Sequence, residues 1–194
     1  MKTNKFLILS EEILYKGWSQ LKRYTLDFVF ENGKKERMIR EIYNSGNGAA
    51  VLLYNLEVQQ IVLLRQFRLA AWLSGNSDGF LLEVCAGMLD SMQPEDAIIK
   101  EVAEETGLAI ENLQKIGAVY ATPGAHEEKV HLYIAEYNPD TLTVGFRQNP
   151  EEQEEIEVLA MSFDEAKTLI KNEKIEDAKT LLLLQHAIIH GIIC

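Results

Sequence analysis

The chain has 194 residues, of which 47% are hydrophobic, and it carries a formal net charge of −11 with a pI of about 4.9. This length fits one domain, or one domain with a small appendage, and the hydrophobic content is sufficient for a core. The excess of negative charge disfavours a nucleic-acid partner, because the phosphate backbone would be repelled. A small anionic ligand stays possible if metal ions and a few local cations neutralise it.

The cysteines and the apolar runs indicate the cellular compartment of the protein. Cys85 and Cys194 give no disulfide or zinc-binding pattern. The apolar run at residues 6–9 is too short for a signal peptide, and polar side chains interrupt the longest apolar stretch, residues 181–194, so it does not read as a membrane span. We therefore expect a cytoplasmic protein without a membrane partner.

Residues 5–43 are predicted to form three strands of a small antiparallel sheet. Residues 19–31 alternate and end at Asn32-Gly33, a strong hairpin signal, with residues 35–42 as the partner strand. Small sheets are marginally stable alone. We therefore treat residues 1–44 as a separate region that packs against a second subunit, which predicts a homodimer.

The second predicted region, residues 45–194, mixes strands with a few helices. Its pattern indicates an α/β sandwich around a mixed sheet. The predicted strands cover residues 49–55, 60–67, 80–85, 116–120, 129–137 and 156–161; the helices cover 94–106, 163–171 and 177–193; and loops cover 70–79 and 138–154.

The helix predicted at residues 94–106 carries the strongest chemical signal. Pro94 suits the first helical turn, and Gly107 suits the position just past the helix end. Glu101, Glu104 and Glu105 are spaced to share roughly one face, where like charges destabilise an exposed helix by about 0.2–0.5 kcal/mol per pair. The pattern is explained either by an acidic surface or by a hard divalent cation, which prefers oxygen ligands. The upstream strand and the turn at Gly87 favour a metal and phosphate site.

The segment from Lys100 to Leu108, Lys-Glu-Val-Ala-Glu-Glu-Thr-Gly-Leu, resembles the second half of the Nudix box, with Lys100 in place of the usual Arg. The first half departs from the family pattern. Met92 stands where the first Glu belongs, and Gly87 lies one residue closer to Lys100 than in the family. Glu95 is a possible but misaligned substitute for that first Glu.

Further segments resemble the nucleoside-diphosphate-sugar branch of the Nudix hydrolases, so that the likeness covers nearly the whole chain. These segments are residues 46–54, 62–68, 83–87, 120–124 and 177–180. The resemblance implies a Nudix-type α/β/α sandwich around a mixed sheet, with the small N-terminal antiparallel sheet beside it. It also implies Mg²⁺ as cofactor, with Mn²⁺ as a substitute.

The resemblance implies three groups of site residues. The metal ligands are Ala86 through its carbonyl, Glu101, Glu105 and Glu154. The catalytic candidates are Glu104, Glu128 and Glu154, with Glu152 and Glu155 as alternatives to Glu154. The substrate-binding candidates are Trp18, Arg40, Glu41, Arg68, Gly87, Met88, Glu128 and Lys179. For Arg68, Trp18 and Lys179, an ordinary position at the surface or at an interface is the alternative to substrate binding.

The expected reaction is Mg²⁺-dependent hydrolysis of the pyrophosphate bond of a nucleoside diphosphate sugar. GDP-mannose, split into GMP and mannose 1-phosphate, is the preferred substrate, and ADP-ribose is the alternative. A non-catalytic Nudix domain that senses a ligand is a third reading, and Met92 is its only support.

Overall fold

The structure is a computed structural model that describes residues 5–110, 112–149 and 154–194. The contacts between Cα atoms divide the described chain into two units. The first comprises residues 5–47 with 120–129, and the second comprises residues 48–119 with 130–194.

The first unit is a three-stranded antiparallel sheet in the order β1 (Phe6–Lys16), β2 (Gln20–Val29), β3 (Lys35–Asn44). The predicted hairpin between β2 and β3 is confirmed. At its turn, Gly33 has a φ of 80°, a left-handed conformation that glycine adopts without penalty. The Lys34 N–H donates to the side chain of Asn32 at 3.0 Å.

The segment 120–129 is joined to the end of β3 by backbone hydrogen bonds. The Tyr43 N–H donates to the Ala125 carbonyl at 2.8 Å, and the Glu127 N–H donates to the Tyr43 carbonyl at 2.9 Å. Strand β1 lies at the edge of this sheet and is exposed on both faces along nearly its whole length.

The second unit contains a mixed eight-stranded sheet in which six strands follow the order β10-β11-β5-β4-β9-β8, while β6 pairs with β5 and β7 pairs with β4. The strands are β4 (Gly48–Asn55), β5 (Gln60–Phe67), β6 (Phe80–Glu83), β7 (Cys85–Met88), β8 (Gln114–Tyr120), β9 (Lys129–Glu136), β10 (Gly145–Asn149) and β11 (Glu154–Ser162). The helices are α1 (Leu69–Leu73), α2 (Pro94–Thr106), α3 (Phe163–Lys171) and α4 (Ala178–Ile189). Strand β4 is parallel to β9 and antiparallel to β5 and β7.

Side chains alternate between the two faces of this sheet, as they must along any strand. On β4, Ala50 and Leu52 join a buried cluster with residues of α3 and α4. The intervening Val51 and Leu53 join a second cluster with residues of α2. Helices therefore cover both faces, which confirms the predicted α/β/α sandwich.

Two predicted element boundaries in the region 70–85 were wrong. The predicted loop 70–79 contains α1, because the Leu-Ala-Ala-Trp-Leu segment is rich in helix-forming residues. The predicted strand 80–85 is two strands that pair with different neighbours. They separate at Val84, whose N–H donates to the hydroxyl of Thr180 at 2.8 Å instead of to a neighbouring strand.

Two further boundaries differ near the C-terminal part of the chain. The predicted loop 138–154 contains a short 3-10 helix at Pro139–Thr141 and the strand β10, which pairs with β11. The predicted helix 177–193 ends earlier, at Ile189. It begins after Asp177, whose carboxylate caps it by accepting from the Thr180 N–H at 2.9 Å.

Among the helices of the described part of the chain, none combines the length and the apolar character that crossing a lipid bilayer requires.

Candidate active site

Helix α2 places the acidic residues, and its ends follow from its sequence. Pro94 occupies the first turn, and Gly107 terminates the helix in a left-handed conformation with φ 72°. Ile98 and Val102 are fully buried against the sheet. Glu101 lies on the same buried side and is only 9% exposed, so it is not part of a solvated acidic surface.

The carboxylates of Glu101 and Glu105 both reach strand β7. A Cβ atom placed on Gly87 would lie 2.2 Å from the carboxylate carbon of Glu101. The Ala86 N–H donates to Glu105 at 3.3 Å. The structure therefore brings together two predicted metal-binding glutamates with Ala86 and Gly87, and a side chain at position 87 would displace the Glu101 carboxylate.

Glu104 differs from the other two glutamates of this helix. Its side chain is 43% exposed, and it pairs with Lys100 one turn earlier, with 2.7 Å between the Lys100 Nζ and the carboxylate. The predicted single acidic face is therefore divided into an inward pair, Glu101 and Glu105, and an outward, ion-paired Glu104.

The donor set at this point consists of hard oxygens, which suit a cation such as Mg²⁺. Within the described ranges, no group of three or more His, Cys, Asp or Glu side chains is arranged to hold a metal ion. Glu101 and Glu105 provide two carboxylates of the kind that a hard cation prefers, and such a site needs a further ligand. The Ala86 carbonyl stays a predicted ligand. The predicted third carboxylate, Glu154, begins β11, but its side chain lies outside the described residues, as does all of Glu152.

The adjacent Cys85 does not change this chemistry. Its thiol is free and buried. Burial, and then the negative charge of Glu105, raise the pKa of the Cys85 thiol well above its ordinary value. The thiol is therefore held in its neutral form, and the predicted metal ligands at this point are oxygen atoms.

The predicted substrate residues Arg68 and Lys179 meet at one buried carboxylate, Glu83. The Arg68 guanidinium donates to both Glu83 oxygens, at 2.7 and 3.1 Å. The Lys179 ammonium also pairs with Glu83, and it lies 2.9 Å from Asp177. Glu83 was not among the predicted site residues. A glutamate inside an apolar strand was the available signal, since such a residue requires a cation partner.

The charges in this cluster support each other. Burial alone would raise the pKa of Glu83, but the hydrogen bond from Arg68 and the charge of Lys179 outweigh it and lower that pKa. Burial alone would lower the pKa of Lys179, whereas the charges of Glu83 and Asp177 raise it. Glu83 and Lys179 are therefore both charged at neutral pH.

Glu95, the misaligned candidate for the missing first glutamate of the Nudix box, has two partners in the structure, and its role as a substitute stays a prediction. The Tyr133 hydroxyl donates to Glu95 at 2.9 Å, and the Lys115 ammonium lies 3.5 Å from it. The shortened loop before the helix holds Asp90 and Ser91 at positive φ, 42° and 73°. Met92 in this loop donates its N–H to the Leu89 carbonyl at 2.6 Å.

The remaining substrate candidates of the second unit, Gly87 and Met88, end strand β7. Those of the first unit lie on β3, in the turn between β1 and β2, and in the segment 120–129. Trp18 is 77% exposed. Arg40 is exposed and Glu41 pairs with Arg23 at 2.8 Å. Their contacts with substrate stay predictions.

Glu128 lies in a short polar chain of the first unit. Its carboxylate is 3.5 Å from the Nδ1 atom of His126. The Nε2 atom of the same ring is 3.0 Å from the hydroxyl oxygen of Ser45. The catalytic and substrate-binding roles expected of Glu128 stay predictions.

Two family models match the chain. The NUDIX domain matches residues 45–184. The chain therefore belongs to the Nudix family, and it is a Nudix hydrolase, which confirms the predicted family and enzyme class. The second match, over residues 5–43, is to the GDP-mannose pyrophosphatase NudK N-terminal domain.

Three curated relatives are named GDP-mannose pyrophosphatase. The protein of Yersinia enterocolitica is 43% identical over 188 residues, covering 95% of this chain and 96% of its own length. That of Cronobacter sakazakii is 45% identical, with 95% and 96% covered. That of Pectobacterium atrosepticum is 42% identical, with 95% and 94% covered.

Proposed function

We propose that this chain hydrolyses the pyrophosphate bond of GDP-mannose, yielding GMP and mannose 1-phosphate, with Mg²⁺ as cofactor. The observation that carries the proposal is the position of Glu101 and Glu105 against Ala86 and Gly87. The similarity to relatives named GDP-mannose pyrophosphatase supports the choice of substrate. A cytoplasmic location, expected from the apolar pattern of the sequence, stays a prediction.

Different residues have different roles in the addition of water across the P–O–P linkage. Glu101, Glu105 and the Ala86 carbonyl would hold the cation, and Glu154 would supply the further carboxylate. When bound, the cation neutralises phosphate oxygens and lowers the pKa of water. Glu154 accepts the proton of the attacking water, with Glu128 and Glu104 as the other candidates.

The cations of the chain bind the substrate phosphates. Arg68 and Lys179 are suited to this role, because a guanidinium contacts phosphate in a bidentate manner and an ammonium acts as a point charge. Gly87 and Met88 contact the substrate through β7. From the first unit, Arg40, Glu41 and Glu128 contact it too, with Trp18 stacking on the base.

A substrate panel tests the proposal. Purified protein is assayed with GDP-mannose and ADP-ribose, each with Mg²⁺, with Mn²⁺ and with EDTA. We expect the higher kcat/KM for GDP-mannose, substitution by Mn²⁺ and no turnover in EDTA. The Glu101→Gln/Glu105→Gln double variant, purified identically, controls for contaminating hydrolases.

Each contrary result has a definite meaning. A higher kcat/KM for ADP-ribose would contradict the proposed substrate. Binding of GDP-mannose with no metal-dependent hydrolysis of any nucleotide conjugate would contradict the proposed reaction and favour a ligand-sensing role.

A second copy of the chain is the proposed partner. Strand β1 is an edge strand whose apolar side chains are exposed on both faces, and such edges are normally protected. The exposed residues are Phe6, Leu7, Ile8, Leu9, Ile13 and Tyr15. Burying them against a second copy stabilises the small sheet, which would be marginal alone.

Light scattering coupled to size exclusion tests the homodimer. We expect twice the chain mass of 22.0 kDa. Ile8→Lys should shift the mass toward the monomer, whereas Val144→Lys, at an exposed apolar residue of the second unit, should not. A wild-type protein with the monomer mass at micromolar concentration would contradict the proposal.

A further inference from the structure

Glu83 joins three elements of the second unit at one point. It ends β6 and accepts from Arg68, which follows β5, and from Lys179 in the first turn of α4. Its side chain is 4% exposed, whereas that of Arg68 is 36% exposed. The carboxylate therefore lies behind the guanidinium, and the guanidinium is the part that a ligand in solution can meet.

We propose that Glu83 is a positioning residue for the phosphate-binding cations of this enzyme. It holds the side chains of Arg68 and Lys179 in the orientation that receives the diphosphate of the substrate. The inference rests on the proposed function, since it takes Arg68 and Lys179 as contacts of that diphosphate.

The physical reason is the conformational freedom of long cationic side chains. Lysine and arginine lose much rotamer entropy when they are ordered. A partner that orders them before the ligand arrives removes this penalty from binding. Glu83 makes charge-assisted hydrogen bonds to both cations, and these are stronger than neutral ones.

The surrounding contacts fix the position of Glu83 and of Lys179. The Lys179 ammonium is also 2.9 Å from Asp177, which caps α4. The Thr180 hydroxyl donates to Asp177 at 2.6 Å and accepts from the N–H of Val84, the residue after Glu83. The start of α4 and the end of β6 are thereby held together around the two cations.

A purely structural role is the alternative explanation. Buried ion pairs are weak evidence of stabilisation, because desolvation offsets much of the attraction. The two roles differ in what they predict for ligand binding. A positioning role acts through Arg68 and Lys179, so its effect on binding depends on the presence of Arg68.

The experiment measures the binding of GDP-mannose by calorimetry in EDTA, together with KM and kcat in Mg²⁺. We expect Glu83→Gln to raise Kd and KM about tenfold, the effect of losing a charge-assisted contact, while kcat changes less than about threefold. The control is Glu95→Gln, which alters another ion-paired carboxylate of this unit and should leave Kd unchanged.

A double-mutant cycle separates the two roles. In the Arg68→Ala background, most of the effect of Glu83→Gln on Kd should disappear. An unchanged Kd in Glu83→Gln, or an equally large effect when Arg68 is absent, would overturn the inference. If the Glu83→Gln variant does not fold, Glu83→Asp replaces it in the same double-mutant cycle. This substitution keeps the negative charge but moves it away from Arg68 and Lys179 by the length of one methylene group.

A failure of the inference about Glu83 can be distinguished from a failure of the proposed function. A wild-type protein that binds GDP-mannose without hydrolysing it contradicts the proposed reaction, while the Kd values still decide the role of Glu83. If the wild-type protein does not bind GDP-mannose in EDTA, the KM values of the same variants in Mg²⁺ decide the role of Glu83, and equal KM values in wild type and Glu83→Gln overturn the inference.

Discussion

Gly87 and Glu101 fit together so closely that a single methyl group at position 87 would lie 2.2 Å from the Glu101 carboxylate. We therefore predict that Gly87→Ala displaces this carboxylate. Overpacking of this size destabilises by about 1–3 kcal/mol, and we expect kcat/KM to fall by about tenfold or more. Steady-state kinetics and thermal melting measure both effects.

Gly117→Ala is the matched control for this substitution, because a Cβ there would meet no atom within 4 Å. It should leave kcat/KM unchanged. If Gly87→Ala were equally active, the close contact with Glu101 would be irrelevant to catalysis.

Glu105→Gln tests the inward pair of carboxylates on α2. We predict a fall in kcat of about two orders of magnitude or more, because a bound cation supplies several kcal/mol of transition-state stabilisation. Mg²⁺ affinity, measured by calorimetry, should fall in parallel. Glu57→Gln, at an exposed position of the β4–β5 turn, is the control, and near-normal kcat in Glu105→Gln would show that the ligand assignment is wrong.

Tyr133 and Tyr137 form a matched pair for measuring one hydrogen bond. Both rings are buried in the cluster beneath α2. The Tyr133 hydroxyl donates to Glu95, whereas the Tyr137 hydroxyl has no hydrogen-bond partner among the described residues. We predict that Tyr133→Phe lowers the free energy of unfolding by about 1 kcal/mol, while Tyr137→Phe is neutral or stabilising.

Urea unfolding of the two phenylalanine variants measures the difference. Equal stability of both variants would mean that the Tyr133–Glu95 bond adds nothing. Because Glu95 is not among the proposed cation ligands, kcat should stay at the wild-type level in both.

The stability of the protein should depend on pH through Glu83. Its pKa in the folded protein lies below the ordinary value of 4.5. Its contribution is therefore fully present above pH 4.5 and is lost as the pH falls through the folded pKa. Glu83→Gln should be less stable than the wild type by about 2–3 kcal/mol near neutral pH.

The difference between the two proteins is the quantity to follow. Urea midpoints of wild type and Glu83→Gln should converge as the pH is lowered below 4.5. A difference in stability that stays constant with pH would show that pairing with Arg68 and Lys179 does not lower the pKa of the Glu83 carboxylate.

Trp18 tests the contribution of the first unit to substrate binding. Base stacking contributes about 1–3 kcal/mol, so Trp18→Ala should raise KM about tenfold and change kcat less. Trp18→Phe keeps an aromatic ring and should restore most of the affinity. An unchanged KM in Trp18→Ala would remove this side chain from the site.

The elements that the sequence predicted well are those with strong local signals. Helix α2 matched its predicted bounds because Pro94 and Gly107 mark its ends. The hairpin of β2 and β3 followed from Asn32-Gly33. By contrast, β10 lacks an alternating apolar pattern and forms by pairing with β11, and α1 is a short helix of a kind that is marginal in isolation.

The candidate site was predictable in its parts but not in its connections. Glu101 and Glu105 stand out by charge and spacing on a helix. Arg68 and Lys179 each followed separately from the family resemblance. Their common partner, Glu83, is separated from Lys179 by 96 positions, and no local pattern reports a contact over that distance.

The change of sheet neighbour at Val84 fixes the spacing between two functional groups. Glu83, on one side of it, pairs with the cations, and Ala86 and Gly87, on the other side, lie against Glu101 and Glu105. Because side chains alternate along a strand, adding or deleting one residue here would turn Cys85 out of the core. Relatives should therefore vary in length at the loop before α2, where this chain is already one residue short, and keep residues 83–87 free of insertions and deletions.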